Sequence, residues 1–266
     1  MRCRSWISVG CLLTLISAWN SIGEARAQDT STSVIAGINA YNRGDFATAF
    51  RLLKTASDAG DSDAQVNLGY LFARGQGVAQ NQQEALRLYL ASAKQGNAEG
   101  MNAVGFKYRY GSGVAIDLPR AMHWFCRAAV SGDPRGLNNL AIVYYEGAGV
   151  PRDVDEARRL WRQAAERGNP NAMANLGSAL FFGPEPPIDR QEGTSWIVEA
   201  AQKGHPGAQK LARQLGYQDA LPPPANTELE MRVADKNLSP GKVRDCGALV
   251  SEALPAWPEL SRAAGS

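Results

Sequence analysis

The residues of this chain that could act as acids, bases or metal ligands are few. Among 266 residues there are two histidines, His123 and His205. His123 precedes Trp124 in an apolar run, and we predict that it lies on the exposed side of a helix, with a ligand or general-base role as the alternative. His205 stands in the turn before a helix, where a turn or capping role is the simpler interpretation. Neither histidine predicts a catalytic centre.

Polar residues that could pair for acid–base chemistry recur at one position every 36 residues: Asn81, Asp117, Asp153 and Asp189. Side chains at this spacing lie in separate turns and do not converge as a catalytic pair. Asp and Asn are also residues that cap helix N-termini by accepting a backbone N–H. We therefore predict that these four are helix caps.

One short motif is compatible with nucleophilic catalysis. Ser239-x-x-Lys242 matches the Ser-Lys motif of β-lactamases and penicillin-binding proteins. Its SDN and KTG companions are missing, and Ser239 followed by Pro240 is also the start signal of a helix. We keep β-lactam hydrolysis as an alternative, to be tested by nitrocefin hydrolysis and labelling with a fluorescent penicillin.

The elements that would position these residues are revealed by a repeat of 36 residues. Gly60, Gly96, Gly132, Gly168 and Gly204 fall in one column without insertion or deletion. Each unit contains two apolar runs of helical length, the first (helix A) around a Leu-Gly pair and the second (helix B) around Ala and Trp. A fixed period of this length with two apolar runs indicates an all-α solenoid of antiparallel helix pairs.

Glycine-rich loops follow helix A in three units, beginning at Gly75, Gly111 and Gly147. Glycine suits a chain reversal that needs positive φ. A phosphate-binding loop would require a preceding strand and a GK[ST] sequence, which these loops lack. We predict structural turns.

The columns resemble a known repeat family. Asn67-Leu68-Gly69-Tyr70-Leu71-Phe72, the Gly75-Gln76-Gly77-Val78 turn and the Ala157-x-x-x-Trp161-x-x-Ala164-Ala165-x-x-Gly168 run are similar to the Sel1-like repeat, a relative of the tetratricopeptide repeat. The resemblance covers Ala64 to Gly207. It implies a right-handed solenoid in which small residues at Gly69 and its equivalents let helices A and B approach closely.

Four full units are predicted over residues 64–207. Residues 28–63 are interpreted as a degenerate, tetratricopeptide-like first repeat, and residues 208–216 as a capping helix. The fourth unit has Gly183-Pro184-Glu185-Pro186-Pro187 in place of the usual turn, which predicts a locally different connection. Residues 217–266 are predicted to form a proline-containing linker and a partly disordered tail with one short helix.

The resemblance implies a function without catalysis: binding of a protein partner, as an extended peptide or a helix, in the concave groove lined by the A helices. No cofactor or metal is expected. We align the repeats of this chain with the positions that line the groove of the tetratricopeptide fold. The candidate residues at these positions are Val66, Tyr70, Arg74, Asn102, Phe106, Arg109, Tyr110, Asn138, Ile142, Tyr145, Glu146, Ser178, Phe181 and Phe182. The alternative for Tyr70, Phe106 and Ile142 is packing between neighbouring helices.

Residues 1–27 have the pattern of a cleaved secretory signal: two early arginines, a largely apolar run and the Ala25-Arg26-Ala27 site. We predict export to the periplasm or medium, with no membrane span after cleavage. The remaining chain has 25 basic and 25 acidic residues, so it has no overall field to attract nucleic acid. Exported members of the family resemble regulators that hold a sensor kinase inactive, of the ExoR type, or scaffolds of envelope assembly.

Two cysteines, Cys126 and Cys246, would remain after cleavage, which allows at most one disulfide. Cys126 adjoins Trp124 and Phe125 in helix B, so we interpret it as a small buried side chain. The sequence leaves open whether Cys126 pairs with Cys246.

Overall fold

A computed structural model describes residues 30–183 and 189–217, and this part of the chain consists of eleven helices and no strands. The helices, numbered in chain order, are α1 (30–42), α2 (Phe46–Asp58), α3 (Ser62–Arg74), α4 (Gln82–Lys94), α5 (Ala98–Tyr110), α6 (Leu118–Val130), α7 (Pro134–Glu146), α8 (Val154–Glu166), α9 (Pro170–Phe182), α10 (Arg190–Gln202) and α11 (Pro206–Gln214). The predicted signal segment, the Ser239 motif and the tail lie outside the described residues.

The recurring polar residues begin the B helices α4, α6, α8 and α10. The side chains of Asn81, Asp117, Asp153 and Asp189 each accept a backbone N–H from the first turn. These contacts satisfy donors that a helix end leaves unpaired. The prediction that these residues are caps rather than a catalytic pair is confirmed.

The A helices end as the glycine pattern predicts. Gly75, Gly111 and Gly147 take left-handed φ values of 68° to 69° and close α3, α5 and α7. Gly183, which ends α9, has a φ of −58°. The fourth connection therefore begins differently from the other three, as its prolines predict, and residues 184–188 lie outside the described part.

Consecutive helices pack as a solenoid. Each helix from α3 to α10 packs against the helix before it and the helix after it. The A helices also contact one another across units, α3 with α5, α5 with α7 and α7 with α9. The A helices therefore form one continuous side of the stack, and the outer sides of the B helices form the opposite side.

Small residues allow the two helices of a unit to approach closely. A Cβ atom added at Gly69 would lie 2.5 Å from the Tyr89 ring, and one at Gly105 would lie 2.5 Å from the Phe125 ring. Tyr89 and Phe125 are fully buried. The aromatic ring of helix B thus occupies the space that glycine leaves on helix A.

We expect Gly136→Val to destabilise the fold, because at Gly136 the obstacle is backbone. A Cβ atom there would lie 2.6 Å from the carbonyl carbon of Ala128 and 2.6 Å from the amide nitrogen of Ala129. Backbone atoms of α6 cannot rotate away, so α6 and α7 would have to separate. Overpacking of this kind lowers the free energy of unfolding by about 1–3 kcal/mol.

Urea unfolding measures the effect of Gly136→Val, with Ala47→Val at an exposed position of α2 as the control. The control should change stability by no more than about 0.5 kcal/mol. Equal effects of the two substitutions would contradict the close approach of α6 and α7.

Candidate protein-binding surface

The exposed side of α3, α5, α7 and α9, which we call the groove face, contains most of the candidate residues. Arg74, Tyr110, Glu146 and Phe182 occupy the last residue of these four helices and are all exposed. They share one position of the 36-residue repeat. Their side chains therefore form a row along the stack.

A second row lies one turn earlier. Phe106 is exposed, and Tyr70, Ile142 and Ser178, its equivalents in the other units, are half-buried. Arg109, Tyr145 and Phe181, beside the exposed row, are also half-buried. Eleven of the fourteen candidates therefore keep accessible surface.

Three predicted groove residues are buried, so the prediction that their side chains line the surface of the groove is wrong. Val66 is 1% exposed and belongs to the hydrophobic core. Asn102 and Asn138, at the same repeat position, are each 5% exposed. Contact between neighbouring A helices buries this position, so these residues form the floor beneath the groove face and not its surface.

The middle of the groove face is aromatic. The rings of Phe106 and Tyr110 are stacked, with centroids 6.1 Å apart and planes 8° apart. Phe106 also meets the buried Phe125 edge-on at 5.1 Å. One ring of the pair is thus anchored in the core, while Phe106 and Tyr110 remain 41% and 64% exposed.

The charged side chains beside this aromatic pair, Arg109 and Glu146, have opposite signs and pair with each other. The Arg109 guanidinium lies 5.6 Å from the centroid of the Tyr110 ring and forms a 2.5 Å ion pair with Glu146 of the next unit. A guanidinium near a ring face is attracted by the ring quadrupole. Arg109 therefore links two units and supports Tyr110 without adding net charge.

The aromatic row continues into the next two units. The Tyr145 ring lies 5.2 Å from the Trp161 ring, and the Arg152 guanidinium lies 5.4 Å from the Tyr145 centroid. Phe181 and Phe182 meet at 4.5 Å. Most aromatic side chains of the groove face are therefore held by a second ring or a cation.

A chain of asparagines beneath the groove face was not predicted. Asn139 Nδ2 donates to Asn102 Oδ1 at 3.0 Å, and Asn175 Nδ2 donates to Asn138 Oδ1 at 2.9 Å, so α5, α7 and α9 are joined. Asn139 also accepts from Asn138 at 3.4 Å. The 36-residue recurrence of asparagine at two adjacent positions is the signal that could have revealed this chain.

A polar network at the start of the A helices was also missed. The Tyr70 hydroxyl donates to Glu99 Oε1 at 3.2 Å, and Arg135 forms ion pairs with Glu99 at 3.4 Å and with Asp133 at 3.1 Å. Burial, and then the nearby Glu99 carboxylate, raise the pKa of Tyr70. The hydroxyl therefore stays protonated and acts as a donor joining α3 to α5.

The histidines do not join the groove face. His205 Nδ1 accepts from the Ala208 amide at 3.0 Å, which confirms its capping role. His123 was predicted to be exposed, and this is wrong: it is half-buried, edge-on to the Trp124 ring, and its Nε2 has no hydrogen-bond partner. Burial, with a smaller contribution from Arg127, lowers the pKa of His123 to about 4.

The described part of the chain contains neither a cluster of metal-binding side chains nor a helix able to cross a membrane. In residues 30–183 and 189–217, no group of three or more His, Cys, Asp or Glu side chains is placed to hold a metal ion. Within the same ranges, each helix is too short or too polar to cross a membrane.

Helix pairs stacked in one direction, with an exposed aromatic face on the A helices, define a helical-repeat solenoid. Residues 37–61, 62–97, 98–133, 134–169 and 170–205 match the Sel1 repeat, and the chain belongs to the Sel1 repeat family. Proteins of this family generally mediate contacts between proteins and are typically not catalytic. The first match lies in the segment that we interpreted as a degenerate repeat.

Solved structures agree with this family. A Sel1 repeat protein from Oxalobacter formigenes is 30% identical, over 68% of this chain and 76% of that one, with a TM-score of 0.63. A Sel1 repeat protein described as putative from Klebsiella pneumoniae is 18% identical, over 73% and 96%, with a TM-score of 0.51, and shows the fold alone. No curated protein sequence matches the chain.

Proposed function

We propose that this protein is a non-catalytic scaffold or regulator that binds a protein partner, as an extended peptide or a helix, on its groove face. The observation that carries the proposal is the stacked pair of Phe106 and Tyr110, exposed in the middle of that face. Aromatic side chains and arginine are enriched at the centres of protein interfaces. Aromatic side chains and arginines also surround Phe106 and Tyr110 on the groove face.

The buried groups beneath the groove face favour a preorganised surface. The asparagine chain ties α5, α7 and α9 together, and the Arg109–Glu146 ion pair joins the ends of α5 and α7. A surface that is already ordered loses less conformational entropy on binding. The groove face therefore suits a partner that docks along several units.

We further propose that the protein acts after export, in the periplasm. The support for this is the N-terminal sequence, with its apolar run and Ala25-Arg26-Ala27 site. A regulator of a sensor kinase and an adaptor for envelope assembly are the two roles to distinguish. Capture from membrane extracts with the purified chain distinguishes them: a histidine kinase in the eluate supports the first role, and synthases or cell-wall enzymes support the second.

The double substitution Phe106→Ala with Tyr110→Ala tests the groove face. We expect binding of the captured partner to weaken at least tenfold, because loss of a central aromatic anchor removes about 2 kcal/mol or more and about 1.4 kcal/mol is a factor of ten. The helical content should be unchanged, since Gly105 and Tyr108 remain. Isothermal titration calorimetry measures the affinity.

The matched control is Arg87→Ala with Glu84→Ala on the outer side of α4. These two side chains form a 2.6 Å ion pair with each other, so the control removes as many side chains and leaves the net charge unchanged. Binding should be normal. Normal binding by the aromatic variant together with loss of binding by the control would move the site away from the groove face.

A further inference from the structure

One buried donor on the floor of the groove face has no acceptor. Asn102 Nδ2 makes no hydrogen bond within residues 30–183 and 189–217, while Asn102 Oδ1 accepts from Asn139 Nδ2 at 3.0 Å. The contact with Asn139 fixes which way the Asn102 amide points, because exchange of its oxygen and nitrogen would place two donors against each other. Turning the Asn102 side chain over therefore does not remove the unpaired donor.

The neighbouring unit shows which group is missing. Asn138, the equivalent of Asn102 in α7, donates through Nδ2 to Asn139 Oδ1 at 3.4 Å. In α5 the residue that corresponds to Asn139 is Ala103, which has no side-chain oxygen. Asn102 thus has the donor of this pair without its acceptor.

A ligand on the groove face can supply the acceptor. Buried donors without acceptors are rare in native structures and lower their stability, so a molecule that pairs with Asn102 Nδ2 removes a cost. Asn102 lies one helical turn before Phe106, which is exposed in the middle of the groove face, and Ala103 beside it is 7% exposed. A ligand bound at Phe106 therefore reaches Asn102 by extending one turn along α5.

The missing acceptor distinguishes the two partner conformations that the proposed function allows. In an α-helix, the backbone carbonyls accept from N–H groups of the same helix. In an extended chain, the carbonyls are free to accept and recur about every 3.3 Å. A neutral carbonyl is also buried at lower cost than a carboxylate, which suits the neutral amide of Asn102.

The charges of the groove face specify the partner further. Arg109, beside Tyr110, is paired with Glu146. Arg74, the equivalent of Tyr110 in α3, is exposed and has no carboxylate partner in the part of the chain that the structure describes. Packed helices lie about 8–10 Å apart, a distance that about three extended residues span. An acidic side chain about three residues from the chain segment at Asn102 would therefore meet Arg74.

We infer that the partner crosses α3 and α5 as an extended chain, that one of its backbone carbonyls accepts from Asn102 Nδ2, and that an acidic side chain of this segment pairs with Arg74. The inference rests on the proposed function, because it concerns the groove face, and it specifies the conformation and the charge of the partner.

Selection from two phage-displayed libraries tests the conformation. One library displays random twelve-residue peptides, and the other displays a three-helix scaffold with one helix surface randomised. Binders of the full chain are retained only if Phe106→Ala with Tyr110→Ala abolishes their binding. We expect peptides with an acidic residue among the retained binders. Retention of helical binders alone would overturn the inference and leave the proposed function standing, and retention of neither kind would contradict both.

Ala103→Asn tests the hydrogen bond, because the new amide oxygen gives Asn102 Nδ2 an acceptor within the protein, as Asn139 does for Asn138. The affinity for a retained peptide, measured by isothermal titration calorimetry, should fall by about three- to tenfold, the effect of losing one neutral hydrogen bond. The urea midpoint should not fall, since the buried donor becomes paired. Ala103→Leu, which adds similar bulk without an acceptor, is the control. Equal weakening by Ala103→Leu would contradict the hydrogen bond.

Replacing each amide of the retained peptide by an ester, in turn, identifies the carbonyl, because an ester carbonyl is a weaker acceptor. We expect one ester to weaken binding to the wild-type chain and to have no further effect on Ala103→Asn, in which Asn102 Nδ2 is already paired. If every ester weakens binding to both proteins equally, the peptide backbone does not contact Asn102 and the inference is wrong. A continued requirement for Phe106 and Tyr110 would then still support the proposed function.

Arg74→Ala tests the ion pair. The affinity for the acidic peptide should fall by about two- to fivefold, which is typical of an exposed ion pair, and by less at high salt. Arg87→Ala, an exposed arginine on the outer side of α4, is the matched control and should leave the affinity unchanged. Equal affinities of the wild-type chain and Arg74→Ala would overturn the charge assigned to the partner.

Discussion

Replacing Leu140 by alanine is expected to lower the free energy of unfolding by about 2–5 kcal/mol, the range for a fully buried leucine. Leu140 lies in α7, in the middle of the stack, and is fully buried in the larger core cluster. A solenoid unit buries its apolar surface only against its neighbours. The cavity left in α7 therefore weakens contacts on both sides, with α6 and with α8.

Urea unfolding followed by circular dichroism measures the effect of Leu140→Ala. The control is Ile116→Ala, in the loop between α5 and α6, where the side chain is 66% exposed. This control should change stability by no more than about 0.5 kcal/mol. If Ile116→Ala destabilised the protein as much as Leu140→Ala does, the assignment of inward and outward positions would be wrong.

Acidification should weaken the fold through His123, and this is the second large effect. The pKa of His123 is lowered to about 4 in the folded protein, whereas an unfolded histidine has a pKa of about 6.5. The unfolded chain therefore binds more protons, and stability falls as the pH drops from about 6.5 towards 4. Between pH 7 and pH 5 the loss should be up to about 2 kcal/mol, since each pKa unit corresponds to about 1.4 kcal/mol.

His123→Phe isolates this contribution, because phenylalanine keeps a ring against Trp124 and does not titrate. The difference in unfolding free energy between pH 7 and pH 5 should shrink in this variant. His205, whose pKa is also lowered by burial, remains in both proteins and cancels. The lowered pKa values of Glu84 and Glu192 act below this window, where carboxylates begin to protonate. An unchanged pH dependence would show that His123 is accessible to protons in the folded state.

The repeat architecture could be predicted because its determinants are local. A cap such as Asp117 needs only the first turn of its own helix, and a glycine such as Gly111 needs only the turn that it makes. Each of these features recurs every 36 residues, so several units of the sequence indicate the same helix boundaries. Helix count, order and length in the described part follow from these rules.

The candidate surface could be predicted only in part. The last residues of the A helices, such as Tyr110 and Phe182, lie on the exposed side as their register indicates. Register alone does not say how closely successive A helices approach. That separation decides whether a position one turn further in, such as Asn102, lies on the surface or under it.

Two features depended on the tertiary structure because they join residues that no local rule connects. The asparagine chain exists because α5, α7 and α9 bring side chains about 37 residues apart within hydrogen-bond distance. His123 is half-buried although it shares its helical register with the exposed Arg87, so its burial is set by the tertiary packing around α6. The sequence by itself determined the helices, their caps and their order, since these depend on contacts within one or two turns. The tertiary structure decided which side chains remain accessible, since accessibility depends on every segment that packs nearby.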